Sequence, residues 1–338
     1  MKGEWFYAIV TITITSLIIF FVLALIIAII AGIDIYKSKK TANFKYNVKR
    51  SISAYIFLLP ASILAFIFVV LPIVYSLGYS FLQYNLLKPN DIKFDIEFQN
   101  FSLLFESLVN KGDLFYAVKN TLVFVIGVVP LQIGLALGLA LFVNRKKPGV
   151  GIFKVCFFVP VVISLSVTSF LWLQILSPSE TGLMNSILGI FGIGPIDFLR
   201  DKDTAMLWIV LLSAWQGCGF QMLIFSSALT NIRKDLYEAA SLDGANSFQQ
   251  FLYITVPQLK PTFLYVVITV FIGACRIMVQ PMIMVGSEQS HILTISYYMY
   301  SLGYTNKDVG RSSALALVMT VIIGVITFLQ RKFLGEKE

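Results

Sequence analysis

Seven long apolar stretches divide this chain and leave few folds open to it. The first carries no charge from Phe6 to Ile33. A helix needs about 20 such residues to cross the hydrocarbon core of a bilayer. The candidate spans fall at roughly 6–33, 53–81, 115–143, 152–176, 204–229, 262–285 and 311–330. Across the 338 residues, 57% are hydrophobic and 13% charged, whereas a soluble domain carries roughly 25% charged residues. Lipid is the simplest sink for that apolar excess, so the expected fold class is an all-α polytopic membrane protein.

The net charge of +8 does not indicate nucleic acid. The basic residues sit in short clusters between apolar runs, as the positive-inside rule produces. Lys37, Lys39, Lys40, Lys45, Lys49 and Arg50 follow the first span, and Arg145, Lys146 and Lys147 follow the third. Arg233, Lys234 and Lys260 flank the fifth connection, and Arg331, Lys332 and Lys337 close the chain. The alternate loops are mixed in sign, with Asp91, Asp95, Glu97, Asp201 and Asp203. This pattern puts the N-terminus outside and the C-terminus in the cytoplasm. The first span is too long for a signal peptide, and its basic cluster follows it instead of preceding it. Residues 1–50 therefore read as an extra transmembrane helix with a basic linker, and 51–338 as the working unit.

No catalytic or metal site is expected. Cys156, Cys218 and Cys275 lie in apolar segments without zinc or disulfide spacing. His291 is the only histidine, and the acids cluster in loops. A membrane enzyme would need paired acids, histidines or metal ligands at membrane depth.

The most informative stretch is 231–261, NIRKDLYEAASLDGANSFQQFLYITVPQLKP, on the basic side. It reads as two short helices around a turn. Asp235 with Glu238, and Ser247 with Gln250, have capping-box spacing. Gly244 permits a backbone conformation that other residues resist, and Pro257 and Pro261 end the second helix. A small-residue helix held off the membrane suits docking, and an ordinary helical loop fits the same residues equally well.

Glu238-Ala239-Ala240, then Gly244, Ile254 and Pro257 at the spacing found here, resemble the EAA motif of ABC-importer permeases. Asp243-Gly244-Ala245 with Ile254-Thr255 resembles the carbohydrate-importer branch, with Val256 standing where that family usually has leucine. Phe98 to Phe101, Asn120-Thr121-Leu122, Gly182 to Asn185, Gly192 to Pro195, and Gly310 with Ser313 and Ala314 resemble other family segments. The likeness covers about 51–335 and is nearest to a maltose-type first permease. It implies a six-helix permease core, to which the N-terminal helix is an addition. It also implies that Glu238, Ala239, Ala240, Asp243 and Gly244 form a coupling helix seated in a cytoplasmic ATPase.

A transport path needs polar groups inside the membrane, where a mid-helix charge costs about 2.5–3.5 kcal/mol on insertion scales. Arg276 and Gln280, four residues apart, would share one face of a continuous helix, with Pro281 loosening it. They could bind sugar hydroxyls or a carboxylate; alternatively, Arg276 snorkels or pairs at a subunit interface. Trp215 and Gln216 are a second candidate pair, and Trp172 with Gln174 a weaker one. Gln216 and Gln221 lie about 140° apart around a helix and cannot both line one wall. Gly134 and Gly138 have the spacing of close-packed membrane helices.

No GxxxxGK[ST] phosphate loop occurs in the chain. The resemblance therefore implies that ATP and Mg bind in two partner ATPase subunits and that no cofactor sits in this chain. It further implies a second permease subunit, an extracytoplasmic substrate-binding protein, a carbohydrate substrate and surrounding lipid. The competing reading is an ion-coupled secondary carrier or channel, which would favour acids at membrane depth.

Overall fold

A computed structural model of the protein describes residues 56–88, 93–94, 98–144, 149–200, 204–286 and 292–334. The expected first span, the 34–50 linker, the cluster Arg145 to Lys147 and His291 lie outside the described residues. In chain order, α1 (Ile56–Ser80) leads into a hairpin, β1 (Leu82–Gln83) with β2 (Lys93–Phe94), and then α2 (Gln99–Val109). Next come α3 (Asp113–Val143), α4 (Val150–Val162), α5 (Leu165–Ile175), α6 (Leu183–Ile190) and α7 (Ala205–Asn231). The remainder holds α8 (Lys234–Leu242), α9 (Ser247–Gln258), α10 (Lys260–Cys275), α11 (Val279–Met284), α12 (Ile295–Tyr300) and α13 (Val309–Leu334).

Among the described residues, α1, α3, α7 and α13 are each long and apolar enough to cross a membrane. They match the expected spans at 53–81, 115–143, 204–229 and 311–330. Two bent pairs raise the number to as many as six: α4–α5 at 101° and α9–α10 at 66°. The expected straight span 152–176 is therefore broken. Ile163 and Ser164 both have extended ψ values of 137°, which stops α4 and restarts the chain as α5.

The expected span 262–285 also breaks. α10 tightens at its end, with the Arg276 amide donating to the Gly273 carbonyl at 3.1 Å and Ile277 to Ala274 at 3.2 Å. Arg276 is the C-cap residue, where the helix dipole favours a cation. Arg276 and Gln280 thus do not share one face of a continuous helix, because the turn at 276–278 separates them. The open carbonyls of that turn are covered from outside it: Thr294 Oγ1 donates to Ile277 at 2.7 Å and Ser296 Oγ to Cys275 at 3.4 Å.

The chain forms two compact units. The first contains the described residues up to Phe105 together with Met299–Met319. Its hairpin pairs Leu82 with Phe94 and Gln83 with Lys93, antiparallel. Asn100 Nδ2 ties α2 to the carbonyls of Ser80 and Leu82, at 3.0 and 2.9 Å. The Gly310 amide donates to Tyr84 at 3.1 Å. A Cβ at Gly310 would fall on the Leu82 carbonyl, so only glycine lets α13 start this close to the hairpin.

The second unit contains Glu106–Tyr298 and the residues from Thr320 onward. α7 is its axis, with half of its apolar window buried and Ile209, Leu212, Met222 and Phe225 fully enclosed. The helix packs against α3, α4 and α10, and the Phe225 and Phe263 rings meet at 5.0 Å. Gly219 sits against the Phe157 carbonyl of α4, where a Cβ would collide with backbone. Gly219→Ala is expected to lower thermal stability by about 1–3 kcal/mol, the range for overpacking, read as a reduced melting midpoint of purified protein. Gly127 packs against Val210, its Cβ position 3.2 Å from that side chain. Gly134 and Gly138 do not close-pack within this chain: a Cβ at either meets nothing within 4 Å. Their four-residue spacing lies on an exposed face of α3. Of the three cysteines, Cys218 is buried, Cys275 intermediate and Cys156 exposed, so Cys156 is not a core residue.

Candidate functional site

The 231–261 segment folds as a stitched pair of helices. α8 ends on Asp243, and Gly244 takes φ +80°. Ala245 then donates to the Ala240 carbonyl at 2.9 Å and Gly244 to Ser241 at 3.1 Å. These are the two closures of a Schellman motif, which needs a left-handed residue at the position of Gly244. α9 starts from a capping box one residue earlier than expected. Asn246 accepts from the Gln249 amide at 2.9 Å, and the Gln249 side chain accepts from the Asn246 amide at 2.8 Å. Ser247 and Gln250 make no such box. Gln250 Nε2 instead reaches Ser241 Oγ at 2.9 Å, and the Tyr237 hydroxyl meets Thr255 Oγ1 at 2.8 Å, so both helices are pinned to each other.

Asp235 does not cap α8. The N-cap position is Arg233, without a side-chain cap, and Asp235 accepts from its guanidinium Nε at 3.1 Å. That hydrogen bond holds the Asp235 carboxyl below its ordinary value. A depressed carboxylate keeps its pair above the usual acid range and loses it as pH falls through that lowered value. α9 ends at Gln258, between Pro257 and Pro261, and Pro261 lies in the first turn of α10 across the bend at Leu259.

Glu238, Ala239, Asp243 and Gly244 are exposed on this hairpin, and Ala240 is half-buried under its own turn. Beside them stand Leu242, 90% exposed, and Phe248, 70% exposed. Large apolar side chains at a polar turn are costly to leave in water, at about 25 cal/mol per Å² of apolar surface.

A cleft of about 250 Å³, with a mainly apolar wall that also carries polar side chains, opens in the second unit. Gln132 of α3, Ser213 and Gln221 of α7, and Arg276 with Gln280 line it. Gln132 Nε2 donates to Gln221 Oε1 at 3.1 Å, and Gln280 Nε2 to Ser213 Oγ at 3.3 Å. All four of these hydrogen-bonding side chains are buried, whereas Arg276 is exposed. Gly217 makes room for the first pair, since a Cβ there would strike the Gln132 amide. The cleft thus brings Arg276 and Gln280 together through a turn, not along a helix.

Trp215 and Gln216 do not line this cleft. Trp215 pairs with Trp172 at 6.0 Å between centroids and is 40% exposed. Gln216 braces the α4–α5 break, donating to the Ile163 carbonyl and to Thr168 Oγ1, each at 3.2 Å. Gln132 and Ser213 stand out in no sequence motif, whereas Gln216 and Gln221 do face different ways, Gln221 alone lining the cleft. A polar side chain in the middle of an apolar span was the available signal. Asn120 and Thr121 act as scaffold, tying α3 to Leu293 and Ile295 at 2.9 and 3.0 Å.

A helical membrane protein with a stitched polar hairpin between two spans and a cleft that holds buried amides has the build of a transport subunit. Residues 132–334 match the binding-protein-dependent transport system inner membrane component, and the chain belongs to that family. It is a multi-pass inner-membrane permease, the non-catalytic transmembrane subunit of an ABC importer. It is similar to the arabinooligosaccharides transport system permease protein AraP of Bacillus subtilis (strain 168). The two are 30% identical over 306 residues, covering 90% of this chain and 91% of that protein. The lactose transport system permease protein LacF of Rhizobium radiobacter is 32% identical over 230 residues, 66% of this chain and 76% of its own length. A solved bacterial alginate ABC transporter, in complex with alginate pentasaccharide-bound periplasmic protein, contains a chain of the same fold. It has a TM-score of 0.73 and 24% identity, and the match covers 85% of this chain and 95% of that one.

Proposed function

We propose that this subunit passes a carbohydrate, delivered by an extracytoplasmic binding protein, along a path shared with a second permease. The 231–261 hairpin seats on one of two cytosolic ATPases, and ATP and Mg bind there. Residues 1–50 form an added helix and linker on a working unit of 51–338, with the N-terminus outside and the C-terminus in the cytoplasm.

The hairpin is the observation that carries this reading. Its two helices are hydrogen-bonded to each other, and it presents Glu238, Ala239, Asp243 and Gly244 beside the exposed Leu242 and Phe248. It is also covalently continuous with α7 on one side and, across Leu259, with α10 on the other. Those two helices and α3 carry the cleft. Closure of the ATPase pair therefore moves the cleft walls through backbone. Each tenfold of uphill concentration requires about 1.4 kcal/mol, a modest demand on one ATP.

Carbohydrate as cargo is supported by similarity to AraP, of an arabinooligosaccharide transport system, and LacF, of a lactose transport system, and by the cleft's chemistry. Amides and a serine hydroxyl offer donors and acceptors that suit sugar hydroxyls. At about 250 Å³ the cleft falls below the roughly 300–1,000 Å³ of complete small-molecule sites, which fits a half-site closed by the second permease. Arg276→Ala is expected to weaken uptake or shift substrate preference in a radiolabelled-sugar assay; unchanged kinetics would make Arg276 a helix-end residue only. The assembly is tested by purifying the tagged chain: recovery with ATPase subunits supports it, and gradient-driven uptake without any ATPase would overturn it.

A further inference from the structure

Gly273 stands in the middle of the α10 face that lines the cleft. Thr269 and Val270, one turn before it, are wall residues, and so are Arg276 and Ile277 in the turn that ends the helix. Residues three and four apart share a helix face, so a side chain at 273 would be directed into the same space. Gly273 is itself a wall residue and is exposed to the cleft.

Neither the backbone nor the packing of this chain calls for glycine there. Gly273 is not among the glycines with positive φ, so it is not the left-handed residue of a helix end. Among the described residues outside its own turn of helix, nothing comes within 4 Å of an added Cβ. The contrast is with Gly127, Gly217 and Gly219, each of which makes room for Val210, Gln132 or the Phe157 carbonyl on a neighbouring helix. Glycine inside a helix is less stable than alanine, and at 273 no contact within the chain offsets that. What the residue supplies is the open volume beside Arg276. The cleft holds only about 250 Å³, so a side chain projecting into it would take space from whatever is carried.

We infer that Gly273 selects cargo by size: the missing side chain keeps the cleft wide enough for an oligosaccharide, and bulk added there excludes longer saccharides before shorter ones. The inference rests on the reading of this cleft as the transport path.

The test compares Gly273→Ala and Gly273→Leu, both good helix formers, with wild type in the assembled transporter. Uptake of radiolabelled arabinose, lactose and arabinotriose is measured alongside the melting midpoint and the recovery of partner subunits. Both variants should assemble, with midpoints at or above wild type. Gly273→Leu should cut uptake of the longest saccharide that wild type carries by roughly tenfold or more, the scale on which a pocket rejects misfitting bulk. Uptake of the shortest one carried should change little, and Gly273→Ala should fall between. In a second arm, Gly273→Cys in a background lacking Cys156, Cys218 and Cys275 should react with a water-soluble methanethiosulfonate in the assembled transporter. Equal loss at every length, a lowered midpoint, or loss of partner recovery in Gly273→Leu would make this a packing glycine and overturn the inference. So would unchanged uptake or an unreactive cysteine. Absence of wild-type uptake of all three saccharides would count against the carbohydrate reading instead, and the cysteine would still decide whether position 273 faces a water-filled path.

Discussion

Gly244→Asp is expected to abolish uptake while leaving the chain inserted and abundant. Gly244 holds φ +80° at the turn between α8 and α9. A side chain in the left-handed region costs about 1–2 kcal/mol, and aspartate tolerates it better than most residues. That is too little to unfold a bundle whose core lies elsewhere. Among the described residues, nothing beyond the two chain neighbours comes within 4 Å of where the new Cβ would stand. Any steric conflict is therefore with whatever docks on the hairpin, and the added carboxylate must also be desolvated there. Uptake should fall roughly a hundredfold or more, a loss of about 3 kcal/mol of coupling, with membrane levels near wild type by immunoblot. Normal uptake in this variant would remove the hairpin from the mechanism.

Gln221→Leu should affect both stability and transport. The Gln132–Gln221 hydrogen bond, 3.1 Å long, is buried between α3 and α7 and lines the cleft. Leucine would leave the Gln132 amide unpaired at about 1–3 kcal/mol, although pairs of this kind in membranes average nearer 0.6 kcal/mol. The double variant Gln132→Leu with Gln221→Leu removes both polar groups and should recover most of the melting midpoint. Uptake should stay low if the cleft binds sugar hydroxyls as proposed, because both amides are then gone. Recovery of uptake along with stability would show that the pair serves packing alone.

The two outcomes follow from features that were unequally visible in the amino-acid order. α1, α3, α7 and α13 were readable because composition alone identifies an uninterrupted apolar helix. The break at Ile163 and Ser164 was not, because neither residue is a helix breaker and Pro160 lies inside α4. That break is held by Gln216, and the one after Cys275 by Thr294 and Ser296. These partners are distant in sequence, so no local pattern reports them. Arg276 and Gln280 differ from the sequence expectation for the same reason: their four-residue spacing spans a change of chain direction, not one helical turn. Gly244 was legible because a left-handed turn leaves glycine as the natural choice. The capping box was misread by one residue because Asn246 and Ser247 are both good cap formers.

Photocrosslinking at Leu242, the most exposed apolar residue of the hairpin, bears most directly on whether 231–261 faces the cytosol and engages a motor. A crosslinker placed there in intact cells should capture an ATPase subunit. A membrane-impermeant reagent applied from outside should fail to label a cysteine at the same position in a background lacking Cys156, Cys218 and Cys275. Labelling from outside, or crosslinks that never reach a nucleotide-hydrolysing protein, would contradict the assignment of this hairpin as the coupling element.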